Sequence, residues 1–311
     1  MRVVFMGTPD FAVPTLQALV QAGHDLAAVV TQPDRPRGRG KKEAASPVKV
    51  AAQAFQIPVL QPQRVKDPDF IEVLKKLSPE IIVVAAYGRI LPPAVLYLPV
   101  YGCVNVHASL LPKYRGAAPL HWAVMNGERE TGITIMRMDE GMDTGAVLLQ
   151  EAVPIRETEN VGAVHDKLAA LGARLLLKGL ALTGRGELAG APQSGEPSYA
   201  PMLRAEDEIV AWARPARHLF NQIRGMDPWP GARTTLWGRV LKLWRAEVLD
   251  EDAMGHVPGQ ALAAGRDGIT VGTGQGLLLL KELQLQGGKR MSAADFVRGN
   301  PLPAGTVLGS R

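Results

Sequence analysis

Asn105 and His107 are the first residues in this 311-residue chain whose types and spacing suggest chemistry. They lie two apart on a β-prone run with Cys103, Val104 and Val106, so on a strand both side chains leave by the same face. Pro112, Gly116 and Pro119 keep the following residues out of regular structure. An amide and an imidazole side by side, where a strand opens into a loop, can polarise a carbonyl and stabilise the oxyanion formed when it is attacked. Asp143, in the glycine-flanked turn Asp139-Glu-Gly-Met-Asp-Thr-Gly145, is the carboxylate that could complete the set. Beside an imidazole it would favour the charged form and fix the ring; it or an ordered water could take a proton from an attacking amine. The same residues also fit a solvated strand end with a hydrogen-bonded histidine and an ordinary turn aspartate. Spacing alone leaves both readings open.

The elements that must position these groups follow a regular pattern. Arg2 to Met6 reads as a buried strand, Phe11 to Ala22 as a helix and Leu26 to Thr31 as a second strand. The turn Gly7-Thr-Pro-Asp lacks the G-x-G-x-x-G pattern, so it is read as turn geometry rather than a phosphate site. Helices are expected from Pro47 and over Asp69 to Leu77. The apolar run Ile81 to Tyr87 predicts a central parallel strand covered on both faces. The next strand delivers Asn105 and His107 to the carboxyl edge of the sheet, where α/β proteins place ligands. Thr131 to Met138 and Ala146 to Ala152 read as neighbouring strands flanking the acidic turn. Asn160 is placed to cap a helix reaching about Leu182. Gly184 to Tyr199 has linker composition. Beyond it come a short basic helix, Arg214 to Arg224, and five strand candidates between Ala232 and Leu285, matching a small OB-like β-barrel. The division expected is 1–189, a linker over 190–205, and 206–311.

Composition narrows the classes further. Hydrophobic residues at 46% and charged residues at 21% are ordinary for a globular protein. No apolar run approaches the roughly eighteen residues of a membrane span, and the first residues argue against a signal peptide. A single cysteine, Cys103, excludes disulfide frameworks and cysteine-based zinc sites, so a reducing cytoplasm is the expected location. The net charge of +5 suits a polyanionic partner without requiring one. Residues 32 to 46 are expected to be neither helix nor strand; prolines and glycines alternate there with Arg35, Arg37, Arg39, Lys41 and Lys42. Long loops inside a compact domain are commonly functional, although a solvated linker has the same composition. His24, His121, His165, His218 and His256 are expected to be structural. Trp212, Trp229, Trp237 and Trp244, among basic residues, could stack on bases but in a small barrel are read as core, and Arg214, Arg217 and Arg224 are read as phosphate contacts or a solvated helix face.

Asn105-Val-His-Ala-Ser-Leu-Leu-Pro112, followed by Asp139-Glu-Gly-Met-Asp-Thr-Gly145, resembles the signature of formyltransferases that use 10-formyltetrahydrofolate. Met6-Gly-Thr-Pro-Asp-Phe-Ala, Thr31-Gln-Pro-Asp-Arg-Pro, Gly38-Arg-Gly-Lys-Lys, Ser46-Pro-Val-Lys, Ala86-Tyr-Gly, Arg115-Gly-Ala-Ala-Pro and Pro228-Trp-Pro extend it over essentially the whole chain. In that order they are similar to the branch that acts on methionyl initiator tRNA; Ala108, where glycine is also common, is a small departure. The resemblance implies an α/β, Rossmann-type formyltransferase domain, a linker and an OB-like C-terminal β-barrel that helps hold tRNA. It implies an Asn105–His107–Asp143 catalytic trio and folate contact by Ser109, Leu110, Leu111 and Pro112. It also implies approach of Arg37, Arg39, Lys41 and Lys42 to the tRNA acceptor stem. A monomer is expected, with 10-formyltetrahydrofolate as co-substrate and no metal, because an N-formyl group is already activated. The alternatives are a folate-dependent formyltransferase for glycinamide ribonucleotide or an amino sugar, or a tRNA-binding protein with an inactive catalytic domain.

Overall fold

The structure, a computed structural model, describes residues 1–37 and 42–309. By Cα proximity they divide into two compact units. The first comprises the described residues of 1–119, 130–153 and 165–201; the second comprises those of 120–129, 154–164 and 202–311.

In the first unit, β1 (Arg2–Gly7), β2 (Asp25–Val30), β5 (Val59–Leu60), β6 (Ile81–Ala85), β7 (Cys103–His107), β9 (Glu130–Arg137) and β10 (Val147–Pro154) form one sheet. Its order is β10-β9-β7-β6-β1-β2-β5. β1 pairs in parallel with β2 and β6, β6 with β7 and β2 with β5, while β7 and β9 are antiparallel. Every residue of β6 is buried, as its unbroken apolar sequence requires when both faces are covered. Val4 and Met6 of β1, Ile82 and Val84 of β6 and Cys103 of β7 alternate onto one face. There they meet Phe70 and Leu74 of α3 (Pro68–Leu77) and Val95 and Leu96 of α4 (Pro93–Leu96). On the opposite face Val106 packs closely on Gly172 of α6 (Val161–Gly184), where a methyl group would sit 2.7 Å from Val106 Cγ1.

Two short β pairings run counter to the sequence expectation. Within 32–46, β3 (Arg35–Arg37) pairs antiparallel with β4 (Lys42–Ala44), Arg37 opposite Lys42, so this stretch contains strands after all. Strands of three residues carry no period long enough to read, and the hairpin is fixed at its root. Lys49 Nζ lies 2.5 Å from Asp34 Oδ2, and Ser46 Oγ lies 2.7 Å from Thr31 Oγ1. Ser46 also caps α2 (Pro47–Ala54). Farther on, β8 (Arg115–Gly116) pairs in parallel with β11 (Tyr199–Ala200), at the far end of the stretch with linker composition.

The second unit holds an antiparallel sheet in the order β12-β13-β16-β15-β14, with β17 (Met291–Ser292) added on β16. Its strands are β12 (Ala232–Leu236), β13 (Arg239–Asp250), β14 (Ala261–Gly265), β15 (Gly268–Gly272) and β16 (Leu277–Leu285). β13 pairs with β12 through its first half and with β16 along most of its length, its register shifting after Leu243. Such bulges bend a long strand around a barrel corner. Residues 305–309 link the outer strands: Ala261 N donates to Thr306 O and Gly309 N to Thr235 O. The OB-like core holds Leu241, Leu243, Ile269, Val271, Leu278 and Leu280. α7 (Ala216–Gly225) covers it with Leu219 and Ile223, and α8 (Ala293–Gly299) with Phe296.

Candidate active site

The row Cys103, Asn105, His107 runs along one face of β7. Cys103 is buried, its Sγ 3.5 Å from the Val95 carbonyl. Asn105 is half-buried, and among the described residues its side chain has no hydrogen-bond partner. His107 is buried, with Nε2 3.1 Å from the Tyr114 carbonyl oxygen. A carbonyl can only accept, so Nε2 carries the proton in this bond and Nδ1 is the atom turned toward Asp143. His107 Nδ1 lies 3.7 Å from Asp143 Oδ2, near enough for electrostatic attraction but beyond hydrogen-bond length.

Asp143 is held by its surroundings. Its φ of +54° is left-handed, a conformation aspartate tolerates better than most residues. Its Oδ2 accepts from Gly116 N at 2.8 Å. Gly116 has φ +119°, and a Cβ there would lie 2.7 Å from the Ala200 carbonyl oxygen, so glycine is required. Gln193 Nε2 donates to the carbonyls of Asp143 and Gly145 at 2.7 and 2.9 Å. Gln193 Oε1 accepts from Arg115 Nη2 at 2.6 Å and from Arg115 Nε at 3.1 Å.

The Ser109–Pro112 segment leaves β7 over a buried polar lattice. Thr134, opposite His107 in the β7–β9 register, is fully buried. Its Oγ1 donates to the Ser109 carbonyl at 2.7 Å and accepts from Leu111 N at 3.1 Å. Gln150 Nε2 donates to Thr134 Oγ1 and to the Leu111 carbonyl. Ser109, Leu111 and Pro112 are buried, and Ser109 Oγ donates to the Lys113 carbonyl. What this segment offers a ligand is therefore its backbone and the half-buried Leu110 side chain.

The fold thus brings Asn105, His107 and Asp143 to one place and seats Ser109 to Pro112 directly after them. The backbones of Arg37 and Lys42 are register partners in the β3–β4 pairing; Arg39 and Lys41 lie outside the described residues. The C-terminal arginines are more committed than their composition suggested. Arg217 pairs with Glu157 and Glu251, and Arg224 donates to Asn221 and to the carbonyls of Arg156 and Glu159. Trp212 and Trp244 are buried as expected, but Trp229 and Trp237 are 40% and 49% exposed. His165 sits between Asp166 and Asp10, and His256 contacts the Thr273 carbonyl. Among the described residues no cluster of metal-ligating side chains occurs and no helix is long and apolar enough to cross a membrane. The Tyr114 carbonyl, the Gly116 amide, Thr134, Gln150 and Gln193 were not anticipated. The first two are backbone groups without a sequence signature, and the others sit in unremarked positions of strands or supposed linker.

Comparison with known proteins adds a further line. Residues 1–180 match the family described as formyl transferase, and residues 202–301 match formyl transferase, C-terminal domain. The chain is 65% identical over 309 residues to the methionyl-tRNA formyltransferase of Pelotomaculum thermopropionicum, covering 99% of each chain. It is 51% identical to that of Syntrophus aciditrophicus, covering 99% of this chain and 98% of the relative. Among solved structures, HypX from Aquifex aeolicus in complex with tetrahydrofolic acid shares the fold. The TM-score is 0.66 at 19% identity, over all of this chain and 51% of that one.

Proposed function

The chain belongs to the formyl transferase family, and from that premise we propose that it formylates the α-amino group of methionyl initiator tRNA, with 10-formyltetrahydrofolate as the donor. The amine nitrogen attacks the formyl carbon on N10 of the folate. The carbonyl π pair moves to oxygen, giving a tetrahedral oxyanion. Asn105 Nδ2 and the His107 imidazole hold that oxygen. Asp143 orients His107, and it or a water receives the proton lost by the amine. Collapse restores the carbonyl, breaks the bond to N10 and returns a proton to that nitrogen, leaving tetrahydrofolate and formylmethionyl-tRNA. No metal enters these steps.

The observation that carries this reading is an Asn105 amide, without a hydrogen-bond partner among the described residues, on the same strand face as His107, whose ring is fixed by Tyr114 and whose Nδ1 lies toward Asp143. The choice of acceptor is supported by full-length likeness to methionyl-tRNA formyltransferases. On this reading residues 1–189 carry folate and catalysis, 206–311 help hold tRNA, and Arg37, Arg39, Lys41 and Lys42 meet its phosphates. Ser109 to Pro112 meet the folate. The test supplies 10-formyltetrahydrofolate labelled in the formyl group with methionyl initiator tRNA, uncharged tRNA, glycinamide ribonucleotide or a nucleotide-linked amino sugar. Label entering only the charged tRNA is expected; transfer to a small amine in preference would replace this reading.

A further inference from the structure

The stretch with linker composition returns to the site at one residue. Gln193, Arg115, Gly116 and Asp143 form a closed ring of hydrogen bonds. Gly116 N donates to the Asp143 carboxylate, the adjacent Arg115 side chain donates twice to Gln193 Oε1, and Gln193 Nε2 donates to the carbonyls of Asp143 and Gly145. We propose that Gln193 is a positioning residue for Asp143, fixing the acidic turn so that the carboxylate faces His107. The inference rests on the reading of Asn105, His107 and Asp143 as the catalytic trio.

The chemistry of the position narrows the side chain that can serve. It must donate two N–H bonds to carbonyls while accepting a guanidinium, which among side chains only a primary amide does. Glutamate would keep the arginine but turn lone pairs toward both carbonyls; lysine would donate but repel Arg115. The segment bearing Gln193 is itself anchored. Ala191 and Val147 exchange hydrogen bonds of 2.8 and 2.9 Å on one side. On the other, Ser198 Oγ accepts from Tyr114 N, and Tyr199–Ala200 pair with Arg115–Gly116. The left-handed φ at Asp143 gives such a clamp something to hold, because a left-handed non-glycine residue persists only where neighbours determine it.

Gln193→Met keeps the volume and removes every polar contact; Gln193→Glu keeps the Arg115 partner and removes both donors. With folded protein confirmed by circular dichroism, both variants should lose kcat by on the order of 10- to 100-fold, the scale of an ångström-sized misplacement. KM for charged tRNA and for the folate should stay within about twofold, because the ring's hydrogen bonds run between Arg115, Gly116, Gln193 and the acidic turn and end on none of Ser109 to Pro112. In an Asp143→Asn background, Gln193→Met should add less than about threefold, since the group to be positioned is already disabled. Wild-type kcat in both variants overturns the inference, as does an equal loss with Asp143 intact or replaced. If Asp143→Asn alone keeps normal kcat, the reading of the trio fails and this inference with it. If Asp143→Asn is slow while both Gln193 variants are normal, only this inference fails.

Discussion

Replacing Asn105 or His107 by alanine is expected to lower kcat by roughly 100- to 1,000-fold, the effect of losing one oxyanion donor, with small changes in KM. Single-turnover formylation measures the chemical step directly, and near-normal rates in both variants would remove the oxyanion assignment. Cys103 and Tyr87 are reactive residue types that the surrounding fold disarms. Burial pushes the Cys103 thiol up to about 12, so the thiolate that reacts with electrophiles is scarce at neutral pH. A maleimide at pH 8 should leave the native protein unlabelled and label it on unfolding in urea; rapid native labelling would contradict the buried placement. Burial likewise pushes the Tyr87 phenol up to about 12. An unfolded tyrosine ionises near pH 10. Stability that depends on neutral Tyr87 is therefore intact below about pH 10 and is lost as pH rises toward 12. Urea midpoints for wild type and Tyr87→Phe should converge at lower pH and separate above it, with wild type falling more steeply.

At the scale of elements, the Ser109–Pro112 segment depends on a strand behind it. Thr134→Val would keep the shape of β9 but leave Leu111 N without its buried acceptor, at a cost of about 1–3 kcal/mol. The variant should unfold at lower urea, and its KM for 10-formyltetrahydrofolate should rise more than its KM for tRNA. Thr134→Ser, which retains the hydroxyl, should restore both, and an unchanged folate KM would separate this lattice from the folate segment. The contrast between legible and hidden elements follows from what sets each one. β6 and β7 were readable because their apolar run and two-residue period are local consequences of burial. The same period put Asn105 and His107 on one face. The β3–β4 hairpin, the β8–β11 pairing and the tail over 305–309 are short, and long-range hydrogen bonds set them rather than propensity. Gln193 was hidden for a related reason. Glycine and proline around it mark a chain without regular structure, but irregular backbone can still be fully hydrogen-bonded to one site.

At the scale of the whole molecule the question is where the excess positive charge acts. Thirty-five basic residues against thirty acidic ones leave +5. In the second unit several arginines are engaged by carboxylates: Arg217 with Glu157 and Glu251, Arg233 with Glu208, Arg290 with Asp227 and Glu282. At the root of the basic stretch, Asp34 is taken by Lys49 and Gln61, whose hydrogen bonds hold its carboxyl below the usual range. That leaves the cations of 35–42 as the densest run set against little opposing charge in the sequence. If they touch phosphates, replacing Arg37, Arg39, Lys41 and Lys42 with alanine should raise KM for charged tRNA and leave kcat at saturation nearly unchanged. The slope of log(kcat/KM) against log salt should fall by roughly 0.7–0.9 for each phosphate no longer neutralised. If these residues act only through net charge, any exposed cation should serve as well. Lys75→Ala with Lys76→Ala, on the exposed face of α3, tests that alternative. Direct phosphate binding predicts that the α3 pair changes the slope far less per charge than the four loop residues do. Equal slopes per charge would reduce the loop to part of a diffuse positive field.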